Sequence, residues 1–199
     1  MRLYRFIRGW LKGQIRYEYK PGLFIVGPAR WRIKQVYRVI PGGGLMHCRL
    51  TNDNLKGLSE RDDVVLAQYT AGPDYDLIAD ELREVDRFVR DQWGVDTLVS
   101  VGTSAGASSA LVAALRDGCD KLVLFYPQVD FTKHDPRLHV MVKAAEKLGW
   151  NPADRLDELK DVKVFHGTKD PLVSVENAKL FPDPVLVDAG HGFPISEYL

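Results

Sequence analysis

Residues 98–106 read Leu-Val-Ser-Val-Gly-Thr-Ser-Ala-Gly, and this stretch decides the fold that the sequence predicts. The run at 98–101 has the composition of a buried strand, and residues 105–116, rich in small side chains and followed by Gly118, are typical of a helix. A G-x-S-x-G motif between a strand and a helix forces its serine onto a sharp turn, where a Cβ on either glycine would collide. The pattern therefore predicts that Ser104 projects its hydroxyl above the edge of a sheet.

The rest of the chain from residue 64 onward alternates short apolar runs with helical patterns. Such alternation is typical of parallel strands joined by helices, and runs that are apolar on both faces require a sheet covered on both sides. The expected fold class is therefore α/β, with a mainly parallel sheet covered by helices on both faces. Strands are predicted at 64–69, 98–101, 122–126, 162–165 and 185–187, and helices at 77–89, 105–116 and 138–148. The first forty residues are interpreted as extended strands, ending at 36–40.

Two further groups could activate the serine hydroxyl, which is a poor nucleophile until a base removes its proton. His191 stands between two glycines after the run at 185–187, and Asp170 follows the run at 162–165. Since the carboxyl ends of parallel strands share one edge of a sheet, both side chains are expected near Ser104. Asp130, after the run at 122–126, is an alternative acid. The Ala105 N–H, at the start of a helix, is a candidate donor to a developing oxyanion.

Each of these residues also has a simpler interpretation. Ser104 could be only a helix N-cap, and Asp170 could only form a turn with Pro171. His191 could be a surface histidine without a partner. His166 is expected to order the turn that contains Asp170.

Three motifs of the chain resemble those of the α/β-hydrolase family. They are GTSAG at 102–106, HGTKDPLVSVENAKLF at 166–181 and AGHGF at 189–193, and they follow that family's order of serine, acid and histidine. The resemblance covers residues 36–193. It implies one reduced α/β-hydrolase domain over residues 1–199 with little or no cap, in which Ser104 is the nucleophile, His191 the base and Asp170 its carboxylate partner.

The resemblance also extends to a glycine run before residue 45. Gly42, Gly43 and Gly44 are similar to the family's oxyanion loop, although Pro41 stands where the family has histidine. The resemblance implies that the amide of Gly42 or Gly43 joins that of Ala105 in the oxyanion hole. The alternative is a flexible bend without a catalytic role.

The function implied by these motifs is hydrolysis of a carboxylic ester, thioester or amide through an acyl-enzyme. An acyltransferase uses the same machinery, and a catalytically inactive binding module is the alternative from another class. The expected partner is a small-molecule ester or acyl substrate. No cofactor is expected, nor a metal, because the histidines and the two cysteines lack metal-ligand spacing.

Composition sets the remaining expectations. With 199 residues, 45% hydrophobic and 27% charged, the chain is typical of a globular domain rather than a disordered segment or coiled coil. A cytoplasmic location is expected because no apolar run resembles a membrane span or signal sequence and the cysteines are few. Residues 1–38 hold ten basic residues and one acidic residue, Glu18, which indicates contact with an anionic surface or with the acidic remainder of the chain. No nucleic-acid-binding motif accompanies this charge, so no specific nucleic acid is expected.

Overall fold

The computed structural model of the chain describes residues 5–6, 14–20, 23–28, 34–40, 58, 61, 63–67, 74–133 and 139–199. The described strands are β1 Arg5–Phe6, β2 Gln14–Lys20, β3 Leu23–Pro28, β4 Gln35–Ile40, β5 Val64–Ala67, β6 Thr97–Thr103, β7 Lys121–Phe125, β8 Val162–Gly167 and β9 Val185–Val187. The described α-helices are α1 Tyr75–Trp93, α2 Ala105–Asp117 and α3 His139–Leu148. Two 3-10 helices follow them, at Pro152–Glu158 and Val175–Leu180.

The described strands form one sheet in the order β1-β2-β3-β5-β4-β6-β7-β8-β9. From β5 to β9 all neighbouring strands in this order are parallel, whereas β1, β2 and β3 extend the sheet beyond β5 by antiparallel pairing. The predicted α/β class and its mainly parallel sheet are confirmed. Because β4, β6, β7 and β8 are parallel neighbours, the turns that follow them lie along one edge of the sheet.

Local sequence explains where the helices begin and end. The Asp74 carboxylate accepts hydrogen bonds from the N–H groups of Asp76 and Leu77, both at 3.1 Å, and thereby caps α1. Gly94, with φ 60°, ends α1 in the left-handed conformation. The predicted helix at 77–89 is confirmed and longer at both ends. Among the described helices, none is long and apolar enough to cross a membrane.

One face of the sheet is covered by α1 and α2. Side chains alternate along the strands, so that Leu98 packs with α1 while Val99 and Val101 point to the opposite face. On the α1 and α2 side the buried residues include Ile78, Leu82, Ala107, Ala110, Leu111, Leu122, Leu124 and Val164. This layer holds the start of α2 against the end of β6, next to the G-x-S-x-G turn.

The opposite face is covered, within the described residues, by Leu58 and by the chain after His191. Phe193 and Ile195 are buried, and the Tyr198 ring lies 5.0 Å from that of Phe165. They pack on a cluster that contains Val39, Val64, Val99, Val101, Phe125, Tyr126 and Phe165. The segment that follows His191 is therefore part of the hydrophobic core.

Substitution of Ile195 therefore tests how much the segment after His191 contributes to the free energy of unfolding. Ile195 is fully buried, so Ile195→Ala is expected to lower the free energy of unfolding by about 2–5 kcal/mol through lost burial and a residual cavity. Urea denaturation of the full chain measures this change. Leu186→Ala is the matched control, because Leu186 is 44% exposed and its truncation should cost less than about 1 kcal/mol. Equal costs for the two variants would show that residues 193–199 do not pack on the sheet.

Candidate active site

The turn between β6 and α2 presents Ser104. Its backbone has φ 52° and ψ −123°, in the region that non-glycine residues rarely adopt, and strain of this kind is typical of functional turns. The Ser104 N–H donates to the Phe125 carbonyl oxygen at 3.0 Å, which ties the turn to the end of β7. Ser104 stands at the N-cap position of α2 but its hydroxyl makes no capping hydrogen bond. The side chain is therefore available for another partner.

Gly102 permits the close approach of α2 to β6 just before this serine. A Cβ at Gly102 would lie 2.4 Å from the Cα of Ala107 and 2.5 Å from the Gly106 carbonyl oxygen. Since real Cβ atoms do not approach backbone atoms this closely, a larger residue would push the helix away from the strand. The glycine thus fixes the turn on which the Ser104 side chain is presented.

The imidazole of His191 lies between Ser104 and Asp170. Its Nε2 is 3.0 Å from the Ser104 Oγ, and its Nδ1 is 2.8 Å from the Asp170 Oδ2. With the proton on Nδ1, which donates to the carboxylate, Nε2 carries the lone pair that accepts from the serine hydroxyl. The structure thus brings together the three side chains that the sequence analysis singled out.

Asp170 is buried and held in its charged form. Its Oδ1 accepts from the N–H groups of Leu172 at 2.8 Å and Val173 at 3.0 Å, while the His166 Nε2 lies 3.4 Å from Oδ2. Burial opposes ionisation, but the hydrogen bonds from His166, His191 and these amides outweigh it and hold the pKa of Asp170 well below its usual range. A carboxylate that stays charged can stabilise a positive charge on the neighbouring imidazole.

Asp130, the alternative acid, has other partners. Its carboxylate accepts from Thr132 and Asn151 and pairs with Lys133. Burial works against ionisation there too, yet these hydrogen bonds lower the pKa of Asp130 to about 2. The carboxylate beside His191 is that of Asp170.

Two residues that shape the site were not identified from the sequence. Tyr126 follows β7 with φ 43° and is fully buried, and its ring centre lies 4.5 Å from that of His191. Asn177 uses its Oδ1 to accept from the N–H groups of Val129 and Asp130, at 2.8 and 2.9 Å, which holds the loop after β7. The pattern of apolar residues predicts neither role. That of Tyr126 depends on a rare backbone conformation, and that of Asn177 depends on contacts with residues distant in sequence.

Of the other residues expected at the site, the structure describes Ala105 and His166. Ala105 is the first residue of α2, so its N–H belongs to the helix N-terminus next to Ser104. Gly42, Gly43 and Gly44 lie outside the described residues. The His166 Nε2–H donates to the Val173 carbonyl oxygen at 2.9 Å, within the turn of Asp170. In the part of the chain that the structure describes, no three His, Cys, Asp or Glu side chains form a group that could hold a metal ion.

Comparison with known proteins gives structural matches only. No protein-family model and no curated protein sequence matches the chain. Among solved structures, the Pyrococcus furiosus esterase Pf2001 matches with 17% identity and a TM-score of 0.63, over 98% of this chain and 85% of that one. An alpha/beta hydrolase enzyme from the metagenome of sediments of the Mar Chica lagoon matches with 18% identity and a TM-score of 0.62, over 91% of each chain. The S-formylglutathione hydrolase of Agrobacterium tumefaciens matches with 13% identity and a TM-score of 0.58, over 92% and 88%.

The close approach at Gly102 can be tested against a second glycine. Gly102→Ala is expected to lower the free energy of unfolding by about 3 kcal/mol, because the added Cβ meets backbone that cannot move without shifting α2. Gly94→Ala should cost only about 1 kcal/mol, since nothing lies within 4 Å of its Cβ and only the left-handed conformation is strained. Thermal and urea unfolding measure both changes. A cost at Gly102 no greater than that at Gly94 would contradict the described packing.

The lowered pKa of Asp170 predicts a dependence of stability on pH. Because folding lowers the pKa of Asp170 below the unfolded value of about 3.9, its stabilisation of the fold is complete well above that pH and is lost progressively as the pH falls from there through the folded-state pKa. The difference in unfolding free energy between the wild type and Asp170→Asn should therefore shrink between about pH 5 and pH 3. Urea denaturation across this range measures it. A difference that does not change with pH would show that the Asp170 pKa is not lowered by folding.

Proposed function

We propose that this chain, which has the α/β-hydrolase fold, is a serine hydrolase that cleaves a carboxylic ester through an acyl-enzyme intermediate. One observation carries the proposal: the Ser104 Oγ lies 3.0 Å from His191 Nε2 while His191 Nδ1 lies 2.8 Å from Asp170. A hydroxyl, a base and an orienting carboxylate in this order form the arrangement that activates serine nucleophiles. The structural matches described as an esterase and as hydrolases support the same class of reaction.

The first half of the reaction forms the acyl-enzyme. The Ser104 oxygen attacks the ester carbonyl carbon as its proton passes to His191 Nε2, and the carbonyl oxygen takes the negative charge. When the tetrahedral intermediate collapses, the carbon–oxygen bond to the alcohol breaks and His191 returns the proton to the leaving oxygen. Asp170 stabilises the imidazolium between these steps and keeps its proton on Nδ1.

The second half repeats these steps with water as the nucleophile. His191 takes a proton from water, the hydroxide oxygen attacks the acyl carbon, and the bond to Ser104 breaks as the serine regains its proton. The Ala105 N–H, at the positive end of α2, is the donor proposed for the oxyanion, together with the amide of Gly42 or Gly43. Loss of one such donor typically raises the barrier by about 2.7–4 kcal/mol.

The segment between β7 and β8 supports the proposed substrate class. The described part of the insertion between β7 and β8 packs against the body of the protein, where α3 buries Ala144 and Leu148 with Tyr75 and Val112. This arrangement supports a site with little or no cap and a small ester or acyl substrate. Thioesters and amides react by the same steps, with the ester as the proposed substrate because its alcohol leaves more readily than an amine.

A fluorophosphonate probe and a series of p-nitrophenyl esters test the proposal. The wild type should be labelled covalently and should hydrolyse short acyl esters, whereas Ser104→Ala should lose labelling and at least about 1,000-fold of the rate. Ser109→Ala is the control, because Ser109 lies in α2, where its hydroxyl donates to the Ala105 carbonyl oxygen at 3.1 Å. Circular dichroism shows whether each variant is folded.

Two other outcomes would assign a different function to the chain. Labelling with acyl transfer to an added alcohol but not to water would identify an acyltransferase. A folded wild type that is neither labelled nor active would favour a binding module without catalysis, and would contradict the proposal.

A further inference from the structure

Two polar residues lie on the face of the sheet that α1 and α2 cover. Arg38 in β4 and Ser100 in β6 are directly paired in register, and each is only 1% exposed. Their neighbours on the same face are apolar: Val36 and Ile40 on β4 and Leu98 on β6. Burial of a guanidinium in the centre of a sheet is costly unless its donors are used. Core packing alone therefore does not explain why Arg38 and Ser100 are buried on this face.

The guanidinium of Arg38 is only partly satisfied by the protein. Its Nε lies 2.5 Å from Asp86 Oδ1, and its Nη2 donates to Asp86 Oδ2 and to the Ser100 hydroxyl oxygen. Its Nη1 is buried and has no hydrogen-bond partner among the described residues. Since Ser100 accepts from Arg38, its own O–H remains able to donate to another group. Arg38 Nη1 is thus a buried donor without an acceptor among the described residues, and the Ser100 hydroxyl lies beside it.

These donors line a cavity between α1 and α2. Its volume is about 370 Å³, within the range of small-molecule sites. Ala79, Ala113 and Ala114 leave the space between the helices open above the strands. Ser100 lies in β6, four residues before Ser104 in the turn that follows this strand and about 13 Å from it, so the cavity is separate from the proposed active site.

The walls of the cavity add two more guanidinium groups. Arg83 donates to Asp117 and Arg90 to Asp120, and all four side chains line the space. Each of these ion pairs is partly exposed, so its arginine can reorient toward a ligand at little cost. Asp86 pairs with the Nε and Nη2 of Arg38, which leaves Nη1 as the donor available to a ligand.

We propose that this cavity binds a small oxyanion, namely a carboxylate or phosphate group of a metabolite. The oxygens of the ligand accept from Arg38 Nη1 and from the Ser100 hydroxyl, and Arg83 and Arg90 approach it from the walls. Arginine suits this role because its planar donors match the oxygens of carboxylate and phosphate groups. The inference is independent of the proposed esterase reaction, because it uses none of the three side chains at the β6–α2 turn.

Isothermal titration of the full chain with inorganic phosphate and, separately, with succinate tests the proposal. The ionic strength is held constant with chloride, so that a general salt effect does not count as binding. At least one of the two anions should bind with saturation and raise the melting temperature. Arg38→Met should weaken that binding about tenfold or more, as expected for loss of a buried charged donor.

A second variant keeps the experiment decisive if Arg38→Met does not fold. Ala114→Leu places a larger side chain in the cavity from α2 and leaves Arg38 and Asp86 unchanged, so it should also weaken binding. Lys179→Met removes one exposed positive charge that does not line the cavity, and it should bind as the wild type does. Ser104→Ala should bind normally, which separates this site from the proposed reaction. Failure of both anions to bind, or equal binding by Ala114→Leu and the wild type, would overturn the proposal.

Discussion

The contact of α2 with the end of β6 is the constraint on which the rest of the site depends. Gly102 allows the helix backbone to approach so closely that Ser104 must turn through a strained conformation to join the two elements. The hydrogen bond from the Ser104 N–H to Phe125 ties this turn to β7, and the next two strands carry Asp170 and His191 after their ends. Parallel pairing of β6, β7, β8 and β9 therefore brings Ser104, His191 and Asp170, which are far apart in sequence, into one hydrogen-bonded series of side chains.

The series is stabilised by residues that do not belong to it. The turn amides after Asp170 and the buried His166 hold the carboxylate, and the Tyr126 ring lies against the imidazole. These contacts restrict the orientations of the Asp170 and His191 side chains, on which the hydrogen bonds of the series depend. Preorganisation of this kind reduces the rearrangement that a reaction at Ser104 requires.

Much of the fold can be predicted from the sequence because its signals are local. The apolar runs locate β6, β7, β8 and β9, and Asp74 and Gly94 mark the ends of α1. The sequence also indicates which side chains follow the strands at one edge, although it leaves Asp130 and Asp170 as alternatives. The distances in the structure distinguish the two acids, because the carboxylate that lies beside His191 is that of Asp170. The roles of Ser104, His191 and Asp170, and of Gly42 and Gly43 outside the described residues, remain predictions.

Some features could not be predicted, for physical reasons. The left-handed conformation of Tyr126 has no sequence signature, because steric preference alone places tyrosine elsewhere. Arg38 stands on a face of β4 that is otherwise apolar, but its contacts with Ser100 and Asp86 depend on strand register and on how α1 crosses the sheet. Contacts between residues so far apart in the chain follow from the completed packing.

The loop that carries His191 and the cover of the second sheet face belong to one continuous segment. Phe193, Ile195 and Tyr198 anchor that segment, and Arg61 donates to the Leu199 carbonyl oxygen at 2.9 Å. If this segment detaches by local opening, the imidazole leaves the serine at the same moment, while the central strands keep their hydrogen bonds. If this opening costs less free energy than unfolding of the sheet, the contact between His191 and Ser104 is lost on heating before the sheet melts.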